Sequence, residues 1–356
     1  MLGPVSLRVR ALEIPLRFPV TQASHHRHHA EAIWVEAHRG AITGLGEGCP
    51  RPYQTRETIA SALQVLQPIT TLYLQDLDDL LKLGPMRQEW GHAAFCAVET
   101  ALLDLLSKEA GVSVETFLHR PAQRRFQYTT VVGMKPAAAL LERLPIMGVE
   151  VLKVKVGLNL ADDQDLLASV RALLPHARIH LDANNAFGHD ADAAIAHLSE
   201  LDNFWAVEEP LLPGNPEASA RVGRALKTPI ILDEGILNLD DLHAHARVGG
   251  DWILNLKVSR LGGLLHTLKL ADAAQAAGMG LIVGAQAGET SVLTRAGQLV
   301  ASAIGPKLLA LEGGLGLHLL TTDPVAPSLR YGHGGWLDLD DFYLDPTGFG
   351  LRKEVN

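Results

Sequence analysis

Five ionisable residues fall at nearly equal steps along the second half of the chain: Lys155, Asp182, Glu208, Asp233 and Lys257, separated by 27, 26, 25 and 24 residues. Each lies at or near the end of a short run otherwise rich in Val, Ile and Leu. Three carboxylates from successive runs, Asp182, Glu208 and Asp233, form a hard oxygen donor set that suits Mg2+, and no Cys or His cluster there points to zinc. Lysines flank them on both sides. Lys153 and Lys155 share one face of an alternating strand, as do Asn255 and Lys257, and His180, Asp182 and Asn184. Lysine becomes a base when burial or a neighbouring cation lowers its pKa, which Mg2+ and a second lysine would both do. A cation between two lysines on opposite walls suits abstraction of a proton α to a carboxylate. The cation stabilises the enediolate and each lysine addresses one substrate face. Any one of these residues alone reads as a structural ion pair or a solvated strand end. As a set converging on one buried mouth, like charges would be too costly without compensating partners, so the set reads as a site.

The elements that must position them are legible as alternation. Apolar runs at 128–133, 149–157, 177–185, 204–210, 229–234, 252–259, 280–285 and 308–313 are mostly followed by Ala/Leu-rich helical text. Strands alternating with helices over roughly 200 residues predict an α/β fold, a parallel (β/α)-barrel whose active site lies at the C-terminal strand ends. An open doubly wound sheet would normally carry a Gly-rich phosphate loop after an early strand, and none is present. Ahead of the barrel, residues 5–16 and 32–40 alternate as strands, 56–74 turns helical, and 93–109 is the clearest helix. The polar text His25-His26-Arg27-His28-His29 between the strands reads as a loop.

Composition narrows the class. Of 356 residues, 47% are hydrophobic and 20% charged, enough to bury a large core and too apolar for global disorder. A net charge of −9 argues against nucleic acid as a partner. Only Cys49 and Cys96 are present, so no disulfide framework is expected and a reducing compartment is. No apolar run is long enough to span a membrane, and charges and prolines interrupt the first twenty residues where a signal peptide needs an apolar core. A soluble, cytoplasmic protein is expected.

The five motifs resemble those of the enolase superfamily, in its muconate-cycloisomerase-like (mandelate racemase/muconate lactonizing enzyme) subgroup, and the resemblance covers nearly the whole chain. Leu152-Lys-Val-Lys-Val-Gly157 resembles the Lys-x-Lys motif, implying Lys155 as an acid/base with Lys153 beside it. Leu181-Asp-Ala-Asn184, Val207-Glu-Glu-Pro210 and Leu232-Asp-Glu234 resemble the segments that carry the metal ligands, implying Mg2+ on Asp182, Glu208 and Asp233. Asn255-Leu-Lys-Val-Ser-Arg-Leu-Gly-Gly263 resembles the segment with the opposite acid/base, implying Lys257. Enolase-superfamily sites of this kind pair a Lys or His base with Mg2+.

The resemblance further implies a modified TIM barrel over 124–328, an α+β capping domain over 1–123 and a C-terminal segment, 329–356, returning to the cap. Gly46-Glu-Gly-Cys-Pro50 falls at the family's Gly-x-Gly turn. Loops at Val20–His29 and Arg51–Tyr53 are expected to close over the mouth, with the His/Arg cluster a polar lid in which Arg27 or a neighbouring histidine meets a substrate carboxylate. Dipeptide epimerases of the subgroup carry Asp-x-Asp after the eighth strand; this chain has Ala310-Leu311-Glu312. Glu289 stands at the usual acidic position after the seventh strand, and Arg260 replaces a lysine. The implied activity is that of a Mg2+-dependent racemase, epimerase or cycloisomerase acting on a small carboxylate, in a homo-oligomer. The alternatives are a lyase or dehydratase resembling o-succinylbenzoate synthase, or an inactive binding protein, which five competent motif positions disfavour.

Overall fold

All eight runs of the second half become strands. The computed structural model describes residues 3–22, 25–136 and 138–354. The strands are β6 (Thr130–Val132), β7 (Val151–Lys155), β8 (Arg178–Asp182), β9 (Val207–Glu208), β10 (Ile230–Leu232), β11 (Trp252–Leu256), β12 (Gly280–Val283) and β13 (Leu308–Leu311). They form one parallel sheet in sequence order, each hydrogen-bonded to its chain neighbour. The two edges meet where Thr129 N–H donates to the Leu311 carbonyl at 2.7 Å. A helix follows each strand from β6 to β12, as right-handed crossovers between parallel strands require. The fold is a (β/α)-barrel with an N-terminal capping domain.

The cap carries a four-stranded sheet in the order β3-β2-β1-β4, where β1 is Val5–Gln22, β2 His25–Arg39, β3 Ile42–Gly48 and β4 Thr71–Leu72. The loop expected at Val20–His29 is instead largely strand. β1 and β2 form a long antiparallel hairpin, with Val20 opposite Arg27 and Gln22 opposite His25. Residues 23–24, and the side chains of 21–26 with His25 and His26 among them, lie outside the described set. Pairing breaks between Pro15 and Val20, where Pro15 and Pro19 offer no N–H. Into that break Leu16 bridges to Leu320, and Arg17 N–H donates to Leu319 C=O at 2.8 Å, tying the hairpin to the chain beyond β13.

Three other expectations need correction, the first being the loop expected at Arg51–Tyr53, where a short helix, Pro52–Thr55, begins. The helix read over 56–74 spans only Ile59–Leu66; Pro68 cannot continue it, and Thr71–Leu72 pairs with β1 instead. Gly46 and Gly48 end strand β3 rather than forming a turn. Their reason is packing. The buried helix His92–Glu109 lies so close that a Cβ on Gly44, Gly46 or Gly48 would run into the carbonyl oxygens of Ala101, Ala97 and Ala93.

The C-terminal segment ties the two parts together. The strand Trp336–Asp338 pairs with β5 (Arg125–Gln127), Phe349 N–H donates to Asp104 at 2.8 Å, and Lys353 pairs with Glu36 at 2.7 Å. Among the described residues, no helix is long and apolar enough to cross a membrane.

Candidate active site

Strand parity builds the site. Ala206, Ile231, Ile253, Ile282 and Ala310 point inward and form an apolar plug in the barrel. Two residues further along each strand, the same face carries Glu208, Asp233, Asn255, Gly284 and Glu312. On β7 and β8 the inward residues are Lys153 and Lys155, and His180 and Asp182, in register as the pairs Lys153–His180 and Lys155–Asp182. Lys257 lies two residues beyond Asn255. The site is a polar layer resting on an apolar one, at the C-terminal ends of the strands.

Each expected metal-ligand carboxylate meets a lysine. Lys155 Nζ donates to Asp182 at 3.0 Å, Lys153 Nζ lies 2.6 Å from Glu208, and Lys257 Nζ donates to Asp233 at 2.5 Å. Asp182 and Glu208 are direct register partners, and all of these side chains are buried. Asn184 holds Lys155 from the other side and donates its own N–H to Asp182 at 3.1 Å. Asn184, Asn185 and Glu209 take left-handed backbone conformations at the strand ends, which is uncommon outside glycine.

The adjacent acids do different work. Glu209 turns sideways and accepts the N–H groups of Asp233 (2.6 Å) and Gly235 (2.8 Å), fixing the turn after β10. Glu234 accepts from Gln54 of the cap at 2.9 Å. Glu289 accepts Gln286 N–H at 2.7 Å and so shapes the loop after β12. Glu312 is taken up by Lys153 at 2.6 Å, with the buried His180 ring 3.6 Å away. His180, Glu208 and Glu312 bring metal-binding atoms within 4.8 Å of one another, but the Lys153 ammonium, close to both carboxylates, already compensates that group.

Electrostatics follow the crowding. Burial pushes the Glu208 carboxyl up to about 8, against Lys153 and with help from Asp182, Glu312 and Asp233. Burial likewise works against Asp182, but Lys155 and Lys153 outweigh it and hold that carboxyl below its ordinary value. At Lys257 burial alone would lower the pKa; Asp233 and Glu208 outweigh it and hold the ammonium above its usual range, the reverse of the lowering expected of a base, and a cation held by those two carboxylates would offset their pull.

Several contributors were not visible as such in the sequence. Arg260 is buried, with Nε 3.2 Å from Asp233 Oδ1 and its other nitrogens donating to the carbonyls of Asp233, Ile236 (2.9 Å) and Asn255 (2.5 Å). Asn255 Nδ2 donates to Glu208 at 2.8 Å. Gly284 is bare because a Cβ there would strike Asn255 and Lys257. The cap reaches the mouth through Gln54, which bonds both Glu234 and Gln286. Arg27 lies 5.6 Å over the Tyr53 ring, next to Gln54 in the chain.

Comparison with known proteins agrees with this architecture. Residues 137–351 match the enolase C-terminal domain-like family, and residues 5–118 match the mandelate racemase/muconate lactonizing enzyme N-terminal domain. The chain is 30% identical over 280 residues to the o-succinylbenzoate synthase of Geobacillus stearothermophilus, covering 74% of this chain and 72% of that protein. It is 25% identical over 309 residues to the N-succinyl-L-Arg/Lys racemase of Bacillus cereus, covering 83% of each. The dipeptide epimerase of Enterococcus faecalis V583, solved with Mg and the dipeptide L-Leu-L-Tyr, superposes with a TM-score of 0.85 at 23% identity, covering 97% of this chain and 98% of that one. The chain belongs to the enolase superfamily, in its mandelate racemase/muconate lactonizing enzyme group.

Proposed function

We propose that this protein is a Mg2+-dependent isomerase that moves the proton α to a carboxylate on a small substrate, giving racemisation, epimerisation or cycloisomerisation. The observation that carries the reading is the pair Lys155 and Lys257. Lys155 ends β7 and Lys257 directly follows β11, four strands apart in a barrel of eight, on either side of three buried carboxylates. Relatives that racemise N-succinyl amino acids and a fold neighbour that epimerises dipeptides support it.

The donor set fits the ion. Asp182, Glu208 and Asp233 offer only hard oxygens, all three are buried, and they come from the neighbouring strand ends of β8, β9 and β10. Asp182, Glu208 and Asp233 are the residues that would hold Mg2+. Bound there, it supplies positive charge to the substrate carboxylate and to the negative charge that develops as the α-proton leaves. This chain's own residues do the rest. Lys155 addresses one face of the α-carbon and Lys257 the other, so one takes the proton and the other returns it. Lys153, locked between Glu208 and Glu312, stays charged and supports the site electrostatically. Arg260 and Asn255 keep Asp233 and Glu208 oriented.

We assign residues 1–123 to the cap, 124–328 to the barrel and 329–356 to the returning segment, and expect a cytoplasmic homo-oligomer. The deciding experiment is solvent-deuterium exchange at the α-carbon of a panel of N-acyl amino acids, dipeptides and lactones, with Mg2+ present. Exchange into at least one class is expected; none in any, from protein that binds Mg2+, would contradict the reading. A β-elimination with the same residues is the second reading, favoured by the o-succinylbenzoate synthase relative. It would show loss of water without exchange on the Lys257 face.

A further inference from the structure

Strand β3 alternates glycine with larger residues, and the two faces do separate jobs. Gly44, Gly46 and Gly48 admit the helix His92–Glu109, so Leu45, Glu47 and Cys49 point the other way. Glu47 is wholly buried and reaches the barrel helix Ser291–Ile304. Its carboxylate accepts Thr290 N–H at 3.0 Å, Thr290 Oγ1–H at 2.6 Å and Leu293 N–H at 3.4 Å, while Thr290 Oγ1 in turn accepts Val292 N–H at 3.3 Å. A cap carboxylate therefore satisfies the free N–H groups of a barrel helix 243 residues away.

The consequence lies in the preceding residues. Thr290 follows Glu289, which bonds Gln286 N–H. The Gln286 side chain bonds Gln54, and Gln54 bonds Glu234 beside Asp233. Arg51 adds a bond to Ala287 C=O at 3.1 Å. The loop 284–290 is thus anchored at its far end by Glu47 and touches the mouth at its near end. A second cap carboxylate, Glu99, makes a comparable contact elsewhere: it accepts Leu265 N–H at 3.1 Å at the start of the helix Leu264–Ala276. Gly263 beside it is bare because a Cβ would strike that carboxylate.

We infer that Glu47 is a positioning residue for the reaction: by fixing Thr290 it sets the loop 284–290, and with it the Gln286–Gln54 bridge over the barrel mouth. Its effect on turnover rests on the function proposed above; its effect on the loop does not. Glu99 is the control, since it also docks cap to barrel but leads to no residue of that bridge.

The test compares Glu47→Gln, Thr290→Val and Glu99→Gln in the full chain. Amide hydrogen exchange over 284–293 should quicken about tenfold in Glu47→Gln, the effect of about one net hydrogen bond lost at the helix start, and stay at the parent rate in Glu99→Gln. Thr290→Val, which removes only the 2.6 Å donor, should show the same direction and decides the matter if Glu47→Gln does not fold. With a substrate found by α-proton exchange, KM should rise about tenfold while kcat changes less than threefold in Glu47→Gln, and neither should move in Glu99→Gln. Equal effects of Glu47→Gln and Glu99→Gln, or a loosened loop with KM unmoved, would overturn the inference. A parent that exchanges no α-proton would defeat the proposed function, and hydrogen exchange alone would then decide whether Glu47 sets the loop.

Discussion

Arg260 Nε stands 3.2 Å from Asp233 Oδ1, inside a pocket where the guanidinium also reaches the carbonyls of Asp233, Ile236 and Asn255. It fixes one carboxylate of the donor set from behind and, through the backbone of Asn255, the partner of another. Removing it would leave Asp233 buried with Lys257 as its remaining cationic contact. Arg260→Met should therefore cost about 3–5 kcal/mol in urea unfolding, the usual result of breaking one side of a buried pair. In whatever fraction folds, Mg2+ affinity by calorimetry should weaken about 10–100-fold, as for other residues that orient ligands. A variant as stable as the parent and binding Mg2+ equally well would show that Asp233 needs no such support.

Burial pushes the Glu99 carboxyl up to about 7 from its ordinary 4.5, against the N–H groups of Leu265 and Leu264 and the charge of Arg87. The sign follows from linkage. Below pH 4.5 both folded and unfolded chains are protonated at this site. Between 4.5 and 7 the unfolded chain ionises first, so stability falls as pH rises; above 7 both are ionised and the loss is complete. At about 1.4 kcal/mol per pH unit, Glu99 contributes a loss of about 3 kcal/mol across that window. Glu99→Gln should remove that part of the slope, so its stability relative to the parent improves between pH 5 and pH 8 in urea titrations. Parallel curves would refute the assignment.

How much of this was legible in the sequence depends on range. The barrel was readable because each strand declares itself locally and ends on a polar residue, so the step from Lys155 to Lys257 repeats without any tertiary information. Parity alone placed Lys153, Lys155, Asp182 and Lys257 on inward faces. The β1–β2 hairpin was not readable, because Pro15, Pro19 and a polar His/Arg run hide a pairing that is visible only when the two strands are laid together. The roles of Arg260 and Glu47 were hidden for a related reason. Asp233 is 27 residues from Arg260, and Thr290 is 243 from Glu47, so neither contact leaves a trace in local spacing. The step and the resemblance picked out Glu208, but not the part that Glu209 plays beside it. What separates them is the left-handed turn at Glu209, which sends one carboxylate into the barrel layer and the other along the rim.

The bare strand β3 gives a sharp stability test. A methyl group on Gly46 would meet the backbone of Ala97 and Ala101, which cannot move without displacing the buried helix. Gly46→Ala should cost about 3 kcal/mol or more, at the upper end for overpacking because the obstacle is main chain. Gly133→Ala, which meets nothing within 4 Å, serves as the control and should unfold with the parent. Equal midpoints for the two variants would mean that strand and helix are not in van der Waals contact there.

The two-lysine account stands or falls on enantiomer-resolved α-proton exchange in deuterated solvent. Lys155→Ala should abolish exchange for one enantiomer and Lys257→Ala for the other, each by about 10²–10⁴-fold, the usual contribution of general acid–base catalysis. Arginine should rescue neither, since a guanidinium stays protonated. Lys153→Ala should slow both enantiomers together, because Lys153 touches carboxylates rather than one face of the substrate. The account predicts this split by face; a Lys257→Ala protein that exchanges both enantiomers and completes the net reaction at the parent's rate would contradict it.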